Sequence, residues 1–326
     1  MAKREHYYGG QAVLEGVMMR GRDLWAIAVR RPDGDVHVEA HEIDSIAKRV
    51  PIFAKPGVRG IIALGQALAI GVKALTISAN QAAPEDEKLT PRQMALSMTF
   101  ALILFIGLFF VLPAYLSNLA KNQVASGVWL SIGEGLFRVA LFLGYLWLIG
   151  RMKDIRRVFQ YHGAEHKTIA AYEHNDTWSD PEHVDRYSTL HVRCGTNFLL
   201  IVMVLTIIVF ALFGTPSLLW RILSRIIAIP LIAGLAYEAL RLGAKYSESR
   251  FMRAVMAPGL WLQKITTKPP NRDQIEVAIT SFAEVLRREG QVAAGAPAES
   301  PVPPVEGAAA PTESDVPPLD REDGRT

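Results

Sequence analysis

The sequence predicts a mainly α-helical, polytopic membrane protein with a small β-containing N-terminal cytoplasmic cap. Three observations carry this. Half of the 326 residues are hydrophobic, and the mean hydropathy is positive at +0.18. The apolar residues come in blocks of membrane-spanning length and not at amphipathic spacing. Lys and Arg are unevenly divided among the loops between those blocks. The net charge of +3 is too small to point to nucleic acid, and one cysteine excludes an intramolecular disulfide. The first 31 residues hold no apolar stretch, so no cleavable signal is expected there.

Residues 1–57 are expected to form the cap. GGQAVLEGVMMRG (9–21) is punctuated by glycine but lacks the G-K-[ST] ending of a phosphate loop. LWAIAVRR (24–31) and VHVEAHEI (36–43) are expected as two strands joined at Pro32-Asp33-Gly34-Asp35. Val36, Val38 and Ala40 alternate with His37, Glu39 and His41, which puts the two histidines on the outward face. Glu15 and Arg20 stand as site residues or as a structural ion pair.

Residues 58–93 open with an apolar run, 57–79, in which Arg59, Gln66 and Lys73 recur every seven residues. That period drifts slowly round a helix, so the three mark one polar stripe. An interfacial or re-entrant helix is expected here, not a span surrounded by lipid. Residues 94–242 hold four spans, near Met94–Ser117, Gly127–Gly150, Asn197–Phe213 and Leu218–Leu240. Each suits an apolar layer of about 30 Å at 1.5 Å per residue. Residues 1–59 carry ten Lys or Arg, and 151–196 and 241–272 carry seven each; 118–126 carries one and 214–217 none. The positive-inside rule then places both termini and loop 151–196 in the cytoplasm of a cell membrane. Within the spans, Glu134 and Arg138 are spaced to pair, Arg221 and Arg225 are expected to snorkel outward, and Glu238 can pair with Arg241. Residues 243–289 are basic and then apolar. Met256–Ile265 is too short to span, and Asp273–Glu289 forms one amphipathic helix with Ile275, Ala278, Ile279, Phe282, Val285 and Leu286 on a single face. Residues 290–326, rich in Ala, Pro and Glu, are expected to be disordered.

The chemistry concentrates between the second and third spans. Five of eight histidines (His162, His166, His174, His183, His191) and the single cysteine, Cys194, fall within 161–197. On a helix, His162 and His166 share one face and can hold one ion. Glu165 completes H-x-x-E-H, the inverted zincin order, in which the carboxylate activates a water as general base. A divalent ion, with zinc the expected one, needs a third ligand. Glu238 is the first candidate, as a glutamate far downstream on another helix, and His191 the second. Glu173 is about 10 Å along the axis from His166, too far to share its ion. Cys194 suits zinc chemically, but a lone thiol is more often packing. The alternatives are a Cys194–His191 thiol–imidazole pair and two surface histidines with no ligand.

Several separated segments resemble one family, the YqhQ-type bacterial membrane proteins, a domain of unknown function often described as predicted metal-dependent enzymes. They are GGQAVLEGVMMRG, RGIIALGQALAIGVKAL, YHGAEHKTIAAYE, HVRCGTNF, AYEALR, and PGLWLQKITTKPP with the following IEVAI. The resemblance covers about residues 9–283 and implies a bacterial cell membrane and a metal, but no substrate. Where the family's last motif ends Arg-Glu-Pro, this chain has Lys268-Pro269-Pro270, so no acid carries over there. The function expected is a metal-dependent hydrolase at the cytoplasmic membrane interface, with lipid-associated or membrane-protein substrates. The alternative is a non-enzymatic membrane assembly or regulatory protein with structural histidines; a transporter fits less well.

Overall fold

In the computed structural model, the described residues are 8–44, 50, 53, 55, 57–84, 87–124, 126–174, 176–191, 193–213, 217–246 and 249–290. The expectation of disorder for 290–326 falls, beyond Gly290, outside them. Four strands form one antiparallel sheet in the order β1-β2-β3-β4: Gly9–Val13, Gly16–Arg20, Leu24–Arg30 and Val36–Glu42. Only the last two strands were legible as such. The glycine-punctuated segment before them is a second hairpin, with Val13 opposite Gly16 across a two-residue turn. Glu15 occupies that turn at φ 50, a left-handed backbone that non-glycine residues seldom adopt.

The helices are α1 (Val58–Ala82), α2 (Pro91–Asn122), α3 (Gly127–Ile149), α4 (Lys153–Glu173), α5 (Pro181–Asp185), α6 (Gly195–Phe213), α7 (Leu218–Lys245), α8 (Arg250–Thr266) and α9 (Arg272–Arg288). Five of them, α1, α2, α3, α6 and α7, are long and apolar enough to cross a membrane. That is one more than the four spans expected, the addition being α1.

The sheet is the middle of a three-layer unit. Period-two alternation sends Val17, Met19, Ala26 and Ala28 to one face, where they bury against Tyr161 and Ala164 of α4 and Ile275, Phe282 and Leu286 of α9. Met18, Trp25, Ile27 and Val29 go to the other face, against Ile70 and Ala74 of α1. Covering both faces explains why β3 is apolar from Leu24 to Val29. The amphipathic expectation for α9 is met, since all six residues of its predicted apolar face are buried. A capping box of Asn271 and Gln274 starts that helix where the Lys268–Asn271 segment turns.

The polar stripe of α1 faces protein. Arg20 donates to Gln66 Oε1 at 2.6 Å, Gln66 donates to the Asp44 carbonyl, and Lys73 lies 3.2 Å from His41 Nδ1. Arg59 holds Glu238 of α7, with Nε 2.6 Å from Oε1. Gly60 and Gly234 let these two helices cross closely: a Cβ on Gly60 would meet Gly234 O at 2.8 Å. Glu238 thus pairs with Arg59, where pairing with Arg241 was expected. His41 is less solvated than expected, stacked on Trp25 with ring centroids 4.4 Å apart.

Among the apolar helices, α3 packs on α6 and α2, and α6 packs on α7 and α8. Glu134, Arg138 and Arg225 are buried together there. Glu134 accepts from Arg138 Nη2 and Arg225 Nη2, each at 2.9 Å. A π-helical turn at Gly107–Val111 in α2 presents the Phe109 carbonyl, which accepts from Arg138 Nε at 2.8 Å. Arg225 therefore points inward, and the snorkelling expected of it is corrected: a buried carboxylate and the Phe210 ring, 5.2 Å away, hold its charge. The side chain of Arg221 lies outside the described residues.

Candidate metal centre

Within the connection 151–196, residues 153–173 form the helix α4, packed beside α9 on one face of the sheet. Its inward face buries Tyr161, Ala164, Thr168 and Ala171. His162, Glu165, His166 and Ile169, spaced i, i+3, i+4 and i+7, line a cavity of about 510 Å³. Cys194, His191 and Arg193 enter the same cavity from the other end of the loop, and Gly9 and Gly10 of β1 close one side.

Two backbone segments set the imidazoles. His162 Nδ1 lies 2.9 Å from the Thr266 carbonyl, and His166 Nδ1 lies 2.5 Å from the Thr189 carbonyl. A carbonyl can only accept, so each Nδ1 donates, which leaves Nε2 as the nitrogen of each ring able to ligate an ion. The close approach of 266–268 to α4 depends on Gly163. A Cβ there would stand 2.2 Å from the Lys268 carbonyl, and the Lys268 N–H donates to the Phe159 carbonyl beside it.

His191 and Asn197 are fixed by α8. Gln263, fully buried, accepts from the His191 N–H at 2.8 Å and donates to the His191 carbonyl at 2.7 Å and to Asn197 Oδ1 at 3.2 Å. Gly259 leaves room for Asn197, whose Oδ1 would stand 2.1 Å from a Cβ at that position. This clamp brings Cys194 to α4, with Sγ 3.2 Å from His162 Nε2. Among the described residues, His162, His166 and Cys194 form one group whose ligand atoms all lie within 4.8 Å of each other. Tetrahedral zinc with N and S ligands would need an N···S separation of about 3.6 Å. The donor set fits such an ion after small movements.

The electrostatics suit the same use. Burial holds His166 and His191 below the usual imidazole range, so both are neutral at pH 7; nearby Cys194 partly opposes this for His166, and Glu165 does so for His191. Burial pushes the Glu165 carboxyl above its usual range, against the pull of His162, His191 and the Gly10 N–H. Gly10 has to be glycine, because a Cβ would lie 2.8 Å from Glu165 Cγ and 2.7 Å from the Met18 carbonyl.

Of the residues expected in a site, the fold brings together His162, His166, Glu165, His191 and Cys194. Glu238 is elsewhere, held by Arg59, and it is the Cys194 thiol that lies beside the two imidazoles. His191 sits behind the group, its Nε2 3.2 Å from Glu173 Oε2, with ring centroids 5.7 Å from His166. Glu15 and Arg20 do not pair with each other. Glu15 binds Arg157, 2.6 Å from its Nε, and accepts from Tyr161 OH at 3.3 Å, one residue before His162. Gln263, Thr189, Thr266, Gly163 and Gly10 were missed as contributors. Three act through backbone, which side-chain chemistry does not advertise.

Comparison with known proteins gives a family but no described activity. The family model described as "Protein of unknown function (DUF1385)" matches residues 55–288. The chain is 36% identical over 301 residues to "Uncharacterized protein YqhQ" of Bacillus subtilis (strain 168), covering 86% of this chain and 93% of that protein. No solved structure matches.

Proposed function

From the premise that this chain belongs to the DUF1385 family, we propose that it is an integral membrane, metal-dependent hydrolase whose site lies at the cytoplasmic interface. His162, His166 and Cys194 hold the ion. The observation that carries this is the orientation of the two imidazoles. Both are pinned through Nδ1 by backbone carbonyls, so that both lone pairs stand beside one sulfur at the wall of an open cavity. Such fixed second partners are usual for metal-ligating histidines, and here two of them converge on one thiol. A divalent ion there would polarise a carbonyl or phosphoryl oxygen and make a bound water a better nucleophile.

The remaining work falls to a side chain already in place. Glu165, buried and oriented by the Gly10 N–H, takes the proton of the attacking water and returns it to the leaving group. Its raised affinity for protons suits it to hold and return that proton.

Four helices, α2, α3, α6 and α7, cross the membrane with both termini inside, and α1 lies along the surface. From Gln66 onward α1 is bonded to, or packed on, the sheet. That leaves residues 58–65, about 12 Å of helix, against an apolar layer of about 30 Å.

The experiment is complementation of a deletion strain by Glu165→Gln, with bound metal measured on the same protein. The variant should keep its metal and lose function, since losing general-base catalysis costs about 10²–10⁴-fold. A fully functional Glu165→Gln would end the hydrolase reading.

A further inference from the structure

The cavity has two unlike ends. At one stand His162, Glu165, His166 and Cys194. The other is hydrocarbon, walled by Leu64, Ala67 and Leu68 of α1, Val158 and Phe159 of α4, and Phe198 and Leu199 of α6. Leu68 and Leu199 are 61% and 45% exposed, so this end opens sideways onto the apolar surface of the helices. The polar end lies where α6 begins, directly after Cys194. In the topology proposed above, that is the level of the lipid headgroups.

A molecule filling both ends must be an amphiphile with its reactive bond at the junction of head and tail. Two classes qualify: a membrane lipid, and an extended hydrophobic peptide. A peptide in such a site adds to a free sheet edge through main-chain hydrogen bonds. The edge available is β1, which borders the cavity. That edge is already covered by α4, and the Gly10 N–H at its centre donates to Glu165. A lipid asks nothing of the strand. It needs a hydrocarbon path and a volume of a few hundred Å³ for the head and the first part of one chain, and both are present.

We propose that the substrate is a membrane lipid with an ester-linked acyl chain, entering sideways between α1 and α6. Its carbonyl lies at the histidine–cysteine group and its tail passes Leu68 and Leu199. In hydrolysis the water oxygen bonds to the acyl carbon and the ester C–O bond breaks. The proton that Glu165 takes from the water goes to the alcohol oxygen, so no co-reactant beyond water is required. This assignment rests on the proposed reaction site, but its test does not depend on turnover.

The full-length protein is reconstituted into vesicles of phosphatidylethanolamine and phosphatidylglycerol. These carry a trace of phosphatidylglycerol with a photoreactive diazirine in one acyl chain, and adducts are mapped by peptide mass spectrometry. For the same exposed area, labelling of Leu64–Leu68 and Phe198–Leu199 should exceed that of Phe100–Ile106 on the outer surface of α2 on the order of tenfold, a preference of about 1.4 kcal/mol. Ala67→Trp with Leu199→Trp, which fill the opening from exposed positions, should abolish the excess and leave the α2 labelling unchanged. Labelling in simple proportion to exposure overturns the proposal. So does displacement of the label by an apolar peptide but not by lysophosphatidylglycerol. Bound metal is measured in parallel. A metal-free protein that still shows the excess removes the metal reading and sustains the lipid.

Discussion

Gly163→Ala tests how the fold makes the site. The added Cβ would stand 2.2 Å from the Lys268 carbonyl and 3.2 Å from Thr189 Cγ2. Ordinary contact begins near 3.4 Å, so the 266–268 strap has to retreat by about 1 Å. Overpacking of this kind costs about 1–3 kcal/mol. The strained Lys268–Phe159 backbone hydrogen bond adds about 0.5–1.5 kcal/mol. Replacing glycine by alanine inside a helix returns about 1 kcal/mol. The net loss is about 0.5–3.5 kcal/mol, a fall in melting temperature on the order of 5 °C. The retreat also pulls the Thr266 carbonyl from His162 Nδ1, now at 2.9 Å, and losing such a second partner weakens metal binding about 10–100-fold. Both are measurable in detergent, by thermal unfolding and by competition with a chelator. Gly65→Ala on α1, with nothing within 4 Å, is the control and should be neutral or stabilising. Wild-type stability and metal affinity in Gly163→Ala would refute the claim that the strap sets the imidazole.

Three further outcomes follow from the same contacts. The Glu165 carboxyl is held above its usual range, so the folded state binds the proton more tightly than the unfolded state does. In metal-free protein, stability should therefore fall as pH rises from the ordinary carboxylate range through the raised value; Glu165→Gln should remove that fall, matching wild type in acid and exceeding it at neutral pH, and equal pH profiles in thermal melts would contradict this. Glu134→Ala leaves Arg138 and Arg225 buried without their shared carboxylate and should cost about 3–5 kcal/mol; unchanged thermal stability in detergent would show that the cluster is not structural. A cysteine introduced at Asn122 should react with an impermeant maleimide from outside the cell, and one at Thr177 only after permeabilisation; labelling of 177 from outside would move the site to the other face of the membrane.

Most of the elements were legible because period and length are written into single segments. The face of α9 and the apolar helices α2, α3, α6 and α7 each follow from one stretch of residues. The first hairpin was hidden because its strands are short and glycine-rich, and their faces are filled by α4 and α9 on one side and α1 on the other. The site was half legible. The spacing of His162, Glu165 and His166 is local, but nothing local says that Cys194 reaches them. That follows from Gln263 holding His191 across a separation of 72 positions and from Gly259 making room for Asn197. Glu238 misled because a carboxylate on the right membrane face is equally suited to an ion or to an arginine, and Arg59 was at hand on the stripe of α1.

The central claim is that His162, His166 and Cys194 hold one divalent ion. The most direct measurement is elemental analysis of the purified protein, repeated after replacement by cobalt and read by near-ultraviolet absorption. Wild type should carry one equivalent of metal, and the cobalt form should show a thiolate-to-metal charge-transfer band. His166→Ala should lose the ion, and Cys194→Ser should lose the band with most of the affinity, since the coordination sphere is then incomplete. A metal-free wild type, or a Cys194→Ser variant with the band and full stoichiometry intact, would contradict the account.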